Sequence, residues 1–472
     1  MERLAILPFS NLTGDAAFDW VANAGPAILI QELAAGARVL PLRVSSVGTA
    51  ALANASQLLH CTFTQRSGSL QIQYALEDAE RHRMIATGSI DGTALFAVSA
   101  LARTLDANGA RPFSTPNPDA AAAWGHGEFE RAVALDPDFG TAWVSWIAQA
   151  AQAGKPDLAA DLAGRALARA SLRTPLDKVQ IQLDYATLRR DGTARTAALT
   201  ELARLAPHDA GPLLGLAVLE LQARKYAAAE ELYRRVLDID PGNADTLNSL
   251  GYAQGESGDV DGATKTFEAY GQILNQAINA LDSTGEVYFM NGRFAEAEKF
   301  FAQVSARDPN FLKGAPLLKA AYAHWLGGDL AGADERMQKY LALLTKQNDP
   351  LAVWREAIWF YATGRREQAM ALLAKAPPDQ AANMERQRRV WRGEDHIPDD
   401  LNQLRAVYLN TNPAADGLPR TLYAAALVQA GKTDEARALL KLWPLPQSAS
   451  DSLLQSLMYP RFLELRKALK IQ

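Results

Sequence analysis

Cysteine is almost absent from the 472 residues: Cys61 stands alone, which excludes an intrachain disulfide and a cysteine-rich zinc site. Long apolar runs are absent too. None approaches the roughly 20 residues that cross a bilayer, so no membrane span is expected in this chain. Only Met1, Glu2 and Arg3 precede the first apolar stretch, and the chain as written reads as soluble and cytoplasmic, or periplasmic where an upstream signal or anchor was removed. An excess of positive charge is missing as well. The 48 Lys and Arg against 53 Asp and Glu leave a net charge of −5 without long runs, so no surface for a phosphate backbone is advertised and nucleic acid is not an expected partner.

Catalytic signatures are equally scarce. His60, His82, His208 and His324 are scattered, with no Ser or Cys nucleophile motif beside them. "GHGEFE" around His126 follows "AAAAW" rather than a strand, and it lacks both the GxGxxG spacing and the Walker lysine of a nucleotide loop. "EDHIPDD", Glu394 to Asp400, gathers four carboxylates and His396 in a proline-containing loop that suits a hard cation, although a solvated connection explains it more simply. The expectation is a protein that is not an enzyme and carries no cofactor and no metal.

What is present is apolar material, 48% of the chain, enough for more than one domain or one elongated array. From Leu4 to Asp106 the periodicity is mixed. "LAILPF" is a short apolar run ended by the polar turn "SNLTGD", and "AFDWVANAGPAILIQELAA" then carries apolar residues at helical spacing. Arg38 to Val44 reads as a second strand, "LLHCTFTQ" and "SLQIQYALED" alternate as hairpin strands do, "RMIATGSID" adds another, and Thr93 to Asp106 closes the region as an amphipathic helix. That order implies a small α/β domain over residues 1–106. The pieces "LPF", "NLTGD" and the helix after them, with the "GSLQIQYALEDAE" hairpin, resemble the TolB amino-terminal-like domain, which occurs in bacterial proteins beside kinases, cyclases and helical repeats. The resemblance implies a non-catalytic interaction module.

Residues 107–119, with three prolines, have the composition of a linker. Beyond them strand signals disappear and an internal repeat begins. "YAAAEELYRRVLDIDPGN" and "FAEAEKFFAQVSARDPN" match after 68 residues, twice 34, with "SGDVDGATKTFE" between them. Leu213, Ala217, Tyr226, Ala229 and Tyr233 recur as Leu247, Gly251, Val260, Ala263 and Phe267, then as Leu281, Gly285, Phe294, Ala297 and Phe301. Small residues at the crossing points let helix axes approach to about 8–10 Å while the aromatics fill the adjoining groove. This pattern resembles the tetratricopeptide repeat: degenerate units over 120–209, three in-phase units over 210–311, divergent units over 312–445 and a capping helix over 446–472. The fold class expected is therefore a small N-terminal α/β domain plus an all-α right-handed superhelix, an α-solenoid.

"SGDVDGATKTFE" also nearly spells an EF-hand loop, with Asp259, Asp261, Gly262 and Glu268 at ligand positions. Ser257 replaces the first Asp, however, and the repeat phase makes Gly258 and Asp259 an interhelix turn, with Ala263 and Phe267 buried behind it.

In such a superhelix the first helix of each pair supplies the inner wall, so groove residues follow from the phase. The projection gives Asp245, Asn248, Tyr252, Asn279, Asp282, Glu286 and Phe289, then Tyr322, Trp325, Trp354 and Tyr361. Asn248 and Asn279 suit the backbone of an extended peptide, the aromatics suit apolar side chains, and the acids favour a basic ligand. The lysine and arginine clamp of chaperone-binding tetratricopeptide domains is missing from these positions. The function expected is a non-enzymatic scaffold binding a basic or apolar peptide or protein segment. The alternative is a regulatory or sensory part of a bacterial signalling system that docks on a kinase or cyclase.

Overall fold

Leu4, Ala5 and Ile6 are buried at consecutive positions, as a strand covered on both faces requires, and in the computed structural model of the chain they occupy an inner strand of a sheet. The structure describes residues 2–375 apart from 35, 37, 67, 68, 170, 274, 350 and 351, then 401–410, 423–441 apart from 425 and 429, and 469. The chain divides into two units, Met1–Leu219 with Arg235–Gly242, and Glu220–Arg234 with Asn243–Gln472.

In the first unit β1 (Glu2–Ile6) pairs in parallel with β3 (Val39–Arg43) on one side and β4 (Gln57–Arg66) on the other. β5 (Ser69–Asp78) runs antiparallel to β4, and β6 (Arg83–Gly92) antiparallel to β5, giving the order β3-β1-β4-β5-β6; the two-residue β2 (Ser10–Asn11) lies against β4. Helix α1 (Asp19–Leu33) holds Pro26 in its interior. A proline has no N–H to give the carbonyl four residues back, so the Ala22 carbonyl is released, and Phe9 N–H donates to it at 3.3 Å. Gly25 admits the same contact from the other side, since a Cβ there would lie 2.8 Å from the Phe9 ring. Helix α2 (Val47–Leu52) escapes periodicity because it has six residues; it is fixed by a capping box between Ser46 and Thr49. Helix α3 (Ala94–Leu105) starts at the cap Thr93 and buries Leu95, Val98 and Leu101.

Eighteen α-helices follow among the described residues. In the first unit they are α4 (Pro118–Gly125), α5 (Phe129–Leu135), α6 (Gly140–Gln152), α7 (Pro156–Leu167), α8 (Pro175–Leu188) and α9 (Gly192–Leu205), then α10 (Ala210–Gln222) and α11 (Tyr226–Ile239), whose residues are shared out between the units. The segment 107–119, expected to be a linker, is instead part of the packing. Phe113 is buried and donates its N–H to Glu32 Oε1 at 2.9 Å, Ser114 Oγ donates to Asp177 Oδ2 at 2.5 Å, and Thr115 Oγ1 to Asp136 Oδ2 at 2.5 Å. One apolar core consequently runs from Leu4 and Ile6 through Phe113 to Leu162 and Ile181, without a break between residues 106 and 120. Proline-rich composition resembled a spacer because it fixes an extended path, and here that path lies on the protein.

The second unit continues with α12 (Ala244–Ser257), α13 (Val260–Gly271), α14 (Ala277–Met290), α15 (Phe294–Arg307), α16 (Ala315–Leu326), α17 (Leu330–Lys346), α18 (Ala352–Ala362) and α19 (Arg366–Leu373), followed by α20 (Leu401–Asn410) and α21 (Thr433–Lys441). The near-EF-hand stretch is the bend between α12 and α13. Gly258 closes α12 with φ 92°, a left-handed conformation that glycine adopts without strain, and Asp259 caps α13 by accepting from Gly262 N–H. A carboxylate so engaged serves the helix terminus, while Ala263 and Phe267 are buried. The small-residue rule holds at atomic detail. A Cβ on Gly251 would meet the Phe267 ring at 2.6 Å, and one on Gly285 would meet the Phe301 ring at 2.6 Å. The second helices open at Tyr226, Val260, Phe294, Leu330 and Arg366, a period of 34 residues twice and then 36 twice. The first lengthening coincides with the 3-10 turn Phe311–Gly314, where Leu312, Lys313 and Gly314 all have positive φ.

Candidate functional site

The projected residues stand on the first helices of the second unit: Asp245, Asn248 and Tyr252 on α12, Asn279, Asp282, Glu286 and Phe289 on α14, Tyr322 and Trp325 on α16, Trp354 and Tyr361 on α18. Spacings of three, four and seven put those of α12 and α14 on one face of each helix. The structure brings part of this set together in a buried polar cluster. Tyr252 Oη donates to Glu286 Oε2 at 2.6 Å and lies 3.1 Å from Ser283 Oγ, which donates to Asn248 Oδ1 at 3.2 Å. Lys319, on α16 and 1% exposed, places Nζ 2.7 Å from Asp282 Oδ2 and 2.6 Å from Glu286 Oε1. The Phe301 ring lies 5.7 Å from the same ammonium.

The electrostatics follow from this geometry. Burial raises the Asp282 carboxyl above its ordinary value against the pull of Lys319, and burial with the Glu286 charge raises the Tyr252 phenol well above 10.0. Burial works against the Lys319 ammonium, but the two carboxylates outweigh it and the net shift is upward. Asp282 Oδ1 is buried without a hydrogen bond among the described residues.

Three expectations change here. Two of the three acids expected to attract a basic ligand, Asp282 and Glu286, are held by Lys319, which leaves Asp282, Glu286 and Lys319 together one negative charge instead of two. Phe289 is fully buried and meets the Phe294 ring edge-on at 5.4 Å, so it belongs to the core rather than to an open wall. Tyr322 is 3% exposed and packs against Trp325 and Trp359. The remaining positions are accessible to differing degrees: Asp245 is exposed, and Asn248, Tyr252, Asn279, Trp325, Trp354 and Tyr361 are half-buried. Asn279 Nδ2 donates to Tyr270 Oη at 2.7 Å, and the Arg366 guanidinium lies 5.3 Å from the Tyr361 ring.

Sequence reasoning missed Lys319. The available signal was a single charged residue in "APLLKAAYAHWL", one slightly lengthened repeat beyond Asp282, and the change of period hid the alignment. The "EDHIPDD" loop and the capping helix expected from 446 lie outside the described residues, residue 469 apart. Among the described residues no group of three or more His, Cys, Asp and Glu side chains is arranged to hold a metal, and no helix is long and apolar enough to cross a membrane.

A family model described as tetratricopeptide repeat matches residues 220–282, which contain α11, α12, α13 and the opening of α14. No curated protein matches the chain. Two solved structures of MamA are similar to parts of it. One, titled "Crystal structure of MamA protein", is 17% identical with a TM-score of 0.32 and covers 37% of this chain and 93% of its own. The other, "Crystal structure of MamA", is 17% identical with a TM-score of 0.30 and covers 35% and 96%.

Proposed function

We propose that the chain is a non-enzymatic protein–protein interaction scaffold that holds an extended segment of a partner along the first helices of its second unit. The observation that carries this reading is that half-buried amide or aromatic side chains, Asn248, Tyr252, Asn279, Trp325, Trp354 and Tyr361, stand on four successive first helices, α12, α14, α16 and α18. Asn248 and Asn279 each spend one amide atom internally, leaving Asn248 Nδ2 and Asn279 Oδ1 for the main chain of a peptide. Trp325, Trp354 and Tyr361 offer apolar surface with few rotamers to freeze. The Lys319 ion pairs favour an apolar segment over a strongly basic one, with Asp245 as the acceptor for a single basic residue. A displayed peptide library tests this. Enrichment of apolar sequences that Asn248→Ala and Trp325→Ala both lose supports the reading; variants that retain every enriched peptide remove this face from consideration.

A regulatory role, with the TolB-like region docking on a kinase or cyclase, is the second reading. Beyond the resemblance, the observation favouring it is β6, which pairs only with β5 among the described residues and exposes Met84 and Ile85. Lysine at both positions should abolish such docking and leave peptide binding unchanged; unchanged docking would exclude the edge.

A further inference from the structure

A second feature lies wholly within the first unit, far in sequence from the repeat face. A cavity of about 700 Å³, open on one side, is lined by α1, α3, the segment 111–118, the start of α8 and the end of α9. That volume falls within the range of about 300–1,000 Å³ typical of small-molecule sites.

Its lining separates by chemistry. Leu95, Phe113 and Ala206 are buried and form an apolar floor. Pro112, Pro116, Pro118 and Pro175 build much of the wall. Proline carries no N–H, so this wall offers carbon surface without an orphaned donor, and its fixed φ means little backbone freedom is lost when a ligand enters. Arg103, Arg111 and Arg173 are the charged residues of the lining, all exposed, and no carboxylate lines it among the described residues. Arg173 is spent on Asp136 at 2.5 Å. Arg103 and Arg111 have no ion pair among the described residues: Arg103 lies 6.0 Å from the ring of the exposed Phe96, and Arg111 donates to its own loop at Asn108. Glu32, behind the wall, has its Oε1 occupied by Ser99 and the Phe113 N–H, and Arg103 acts on its charge from a distance without forming an ion pair with it.

We infer that this cavity binds a free medium-chain fatty acid, its carboxylate taken by Arg103 and Arg111 at the rim and its tail laid along the apolar floor. A guanidinium fork takes a carboxylate with charge-assisted hydrogen bonds, and the largely apolar remainder suits a chain, because the neutral polar side chains that also line the cavity, Gln31, Thr93, Ser99, Thr115 and Thr174, are already hydrogen-bonded within the protein.

Calorimetric titration of the full chain with dodecanoate, decanoate, dodecanol and dodecyltrimethylammonium, each below its micelle concentration, tests the assignment. Dodecanoate should bind one to one, and decanoate, two methylenes shorter, about tenfold more weakly. The alcohol and the cation should bind at least about tenfold more weakly than dodecanoate. The double variant Arg103→Ala, Arg111→Ala changes exposed side chains, so it should melt as the wild type does while losing the preference for the acid over the alcohol; lysine at both positions should restore part of it. Equal binding of all three head groups, a flat response to chain length, an unaffected double variant or no binding of dodecanoate would each overturn the inference. So would displacement of dodecanoate by a short apolar peptide with a free carboxyl terminus that binds more tightly, which would make the occupant a protein tail.

Discussion

Lys319 Nζ lies 2.6 Å from Glu286 Oε1 although 33 residues separate the two, and both side chains are almost wholly buried. The contact joins α16 to α14, and Glu286 passes it on to α12 through the Tyr252 hydroxyl. Charged side chains here cross-link the first helices of successive repeats, a role usually left to apolar packing. Two further ion pairs link second helices of successive repeats in the second unit, Arg336 of α17 with Glu298 of α15 at 3.0 Å, and Arg365, the residue before α19, with Asp334 of α17 at 2.7 Å.

Removing the cation alone should be severe. Lys319→Met preserves the aliphatic volume but leaves two buried carboxylates uncompensated, and the expected loss is about 3–5 kcal/mol. Adding Asp282→Asn and Glu286→Gln should recover most of that loss, because neutral amides need no counter-charge. Urea denaturation of the three proteins measures it; a Lys319→Met chain as stable as the wild type would show that the ion pairs carry no structural weight.

The same cluster sets an alkaline limit. The Tyr252 and Lys319 pKa values are both raised in the folded chain from ordinary values of 10.0 and 10.5, so above those values the unfolded chain releases protons that the folded chain retains. Stability is therefore fully present below this window and falls as pH rises through it, by up to about 1.4 kcal/mol per pH unit for each group. Tyr252→Phe should flatten the slope by one group's share. Denaturation midpoints on either side of the window test the sign, and a chain that gains stability there contradicts the assignment.

The repeat was legible in the sequence because its physics is local: a small residue must face an aromatic wherever two axes cross, and Gly251 with Phe267 or Gly285 with Phe301 repeat that demand at fixed spacing. The strands were legible for a similar reason, since Leu59, Cys61 and Phe63 mark one buried face of β4. Long-range polar pairing has no such period. Nothing near Ser114 announces Asp177, and nothing near Glu286 announces Lys319, so the stitched segment and the ion pairs stayed hidden. Phe289 was misassigned because projection from helical phase cannot tell an open wall from one covered by the next helix.

Gly251→Ala separates helix propensity from packing. Propensity alone favours Ala over Gly in a helix interior by about 1 kcal/mol. The 2.6 Å approach to Phe267 reverses the sign, and overpacking should cost about 1–3 kcal/mol. Phe267→Leu alone should also destabilise, yet the double variant should lose less than the two single losses added, since the smaller side chain makes room for the methyl group. A double-mutant cycle in urea reads the coupling; strict additivity would mean that the two residues do not share the space.

The segment 107–119 gives the clearest contrast between composition and structure. A linker would be cut readily, whereas the Phe113–Ser114 bond is here held by the Phe113 N–H on Glu32 and by Ser114 on Asp177, which also accepts from Thr141 Oγ1 at 3.1 Å and from Thr174. Chymotrypsin under native conditions should leave this bond intact. Ser114→Ala with Thr115→Ala removes one donor to Asp177 and one to Asp136, and each lost hydrogen bond to a buried carboxylate costs about 1.5–3 kcal/mol. Where that loss falls on local opening, cleavage after Phe113 should accelerate by at least about tenfold. Rapid cutting of the wild-type chain at this bond would return the segment to the status of a flexible spacer, and with it would go the continuous core that joins the sheet to the first helices.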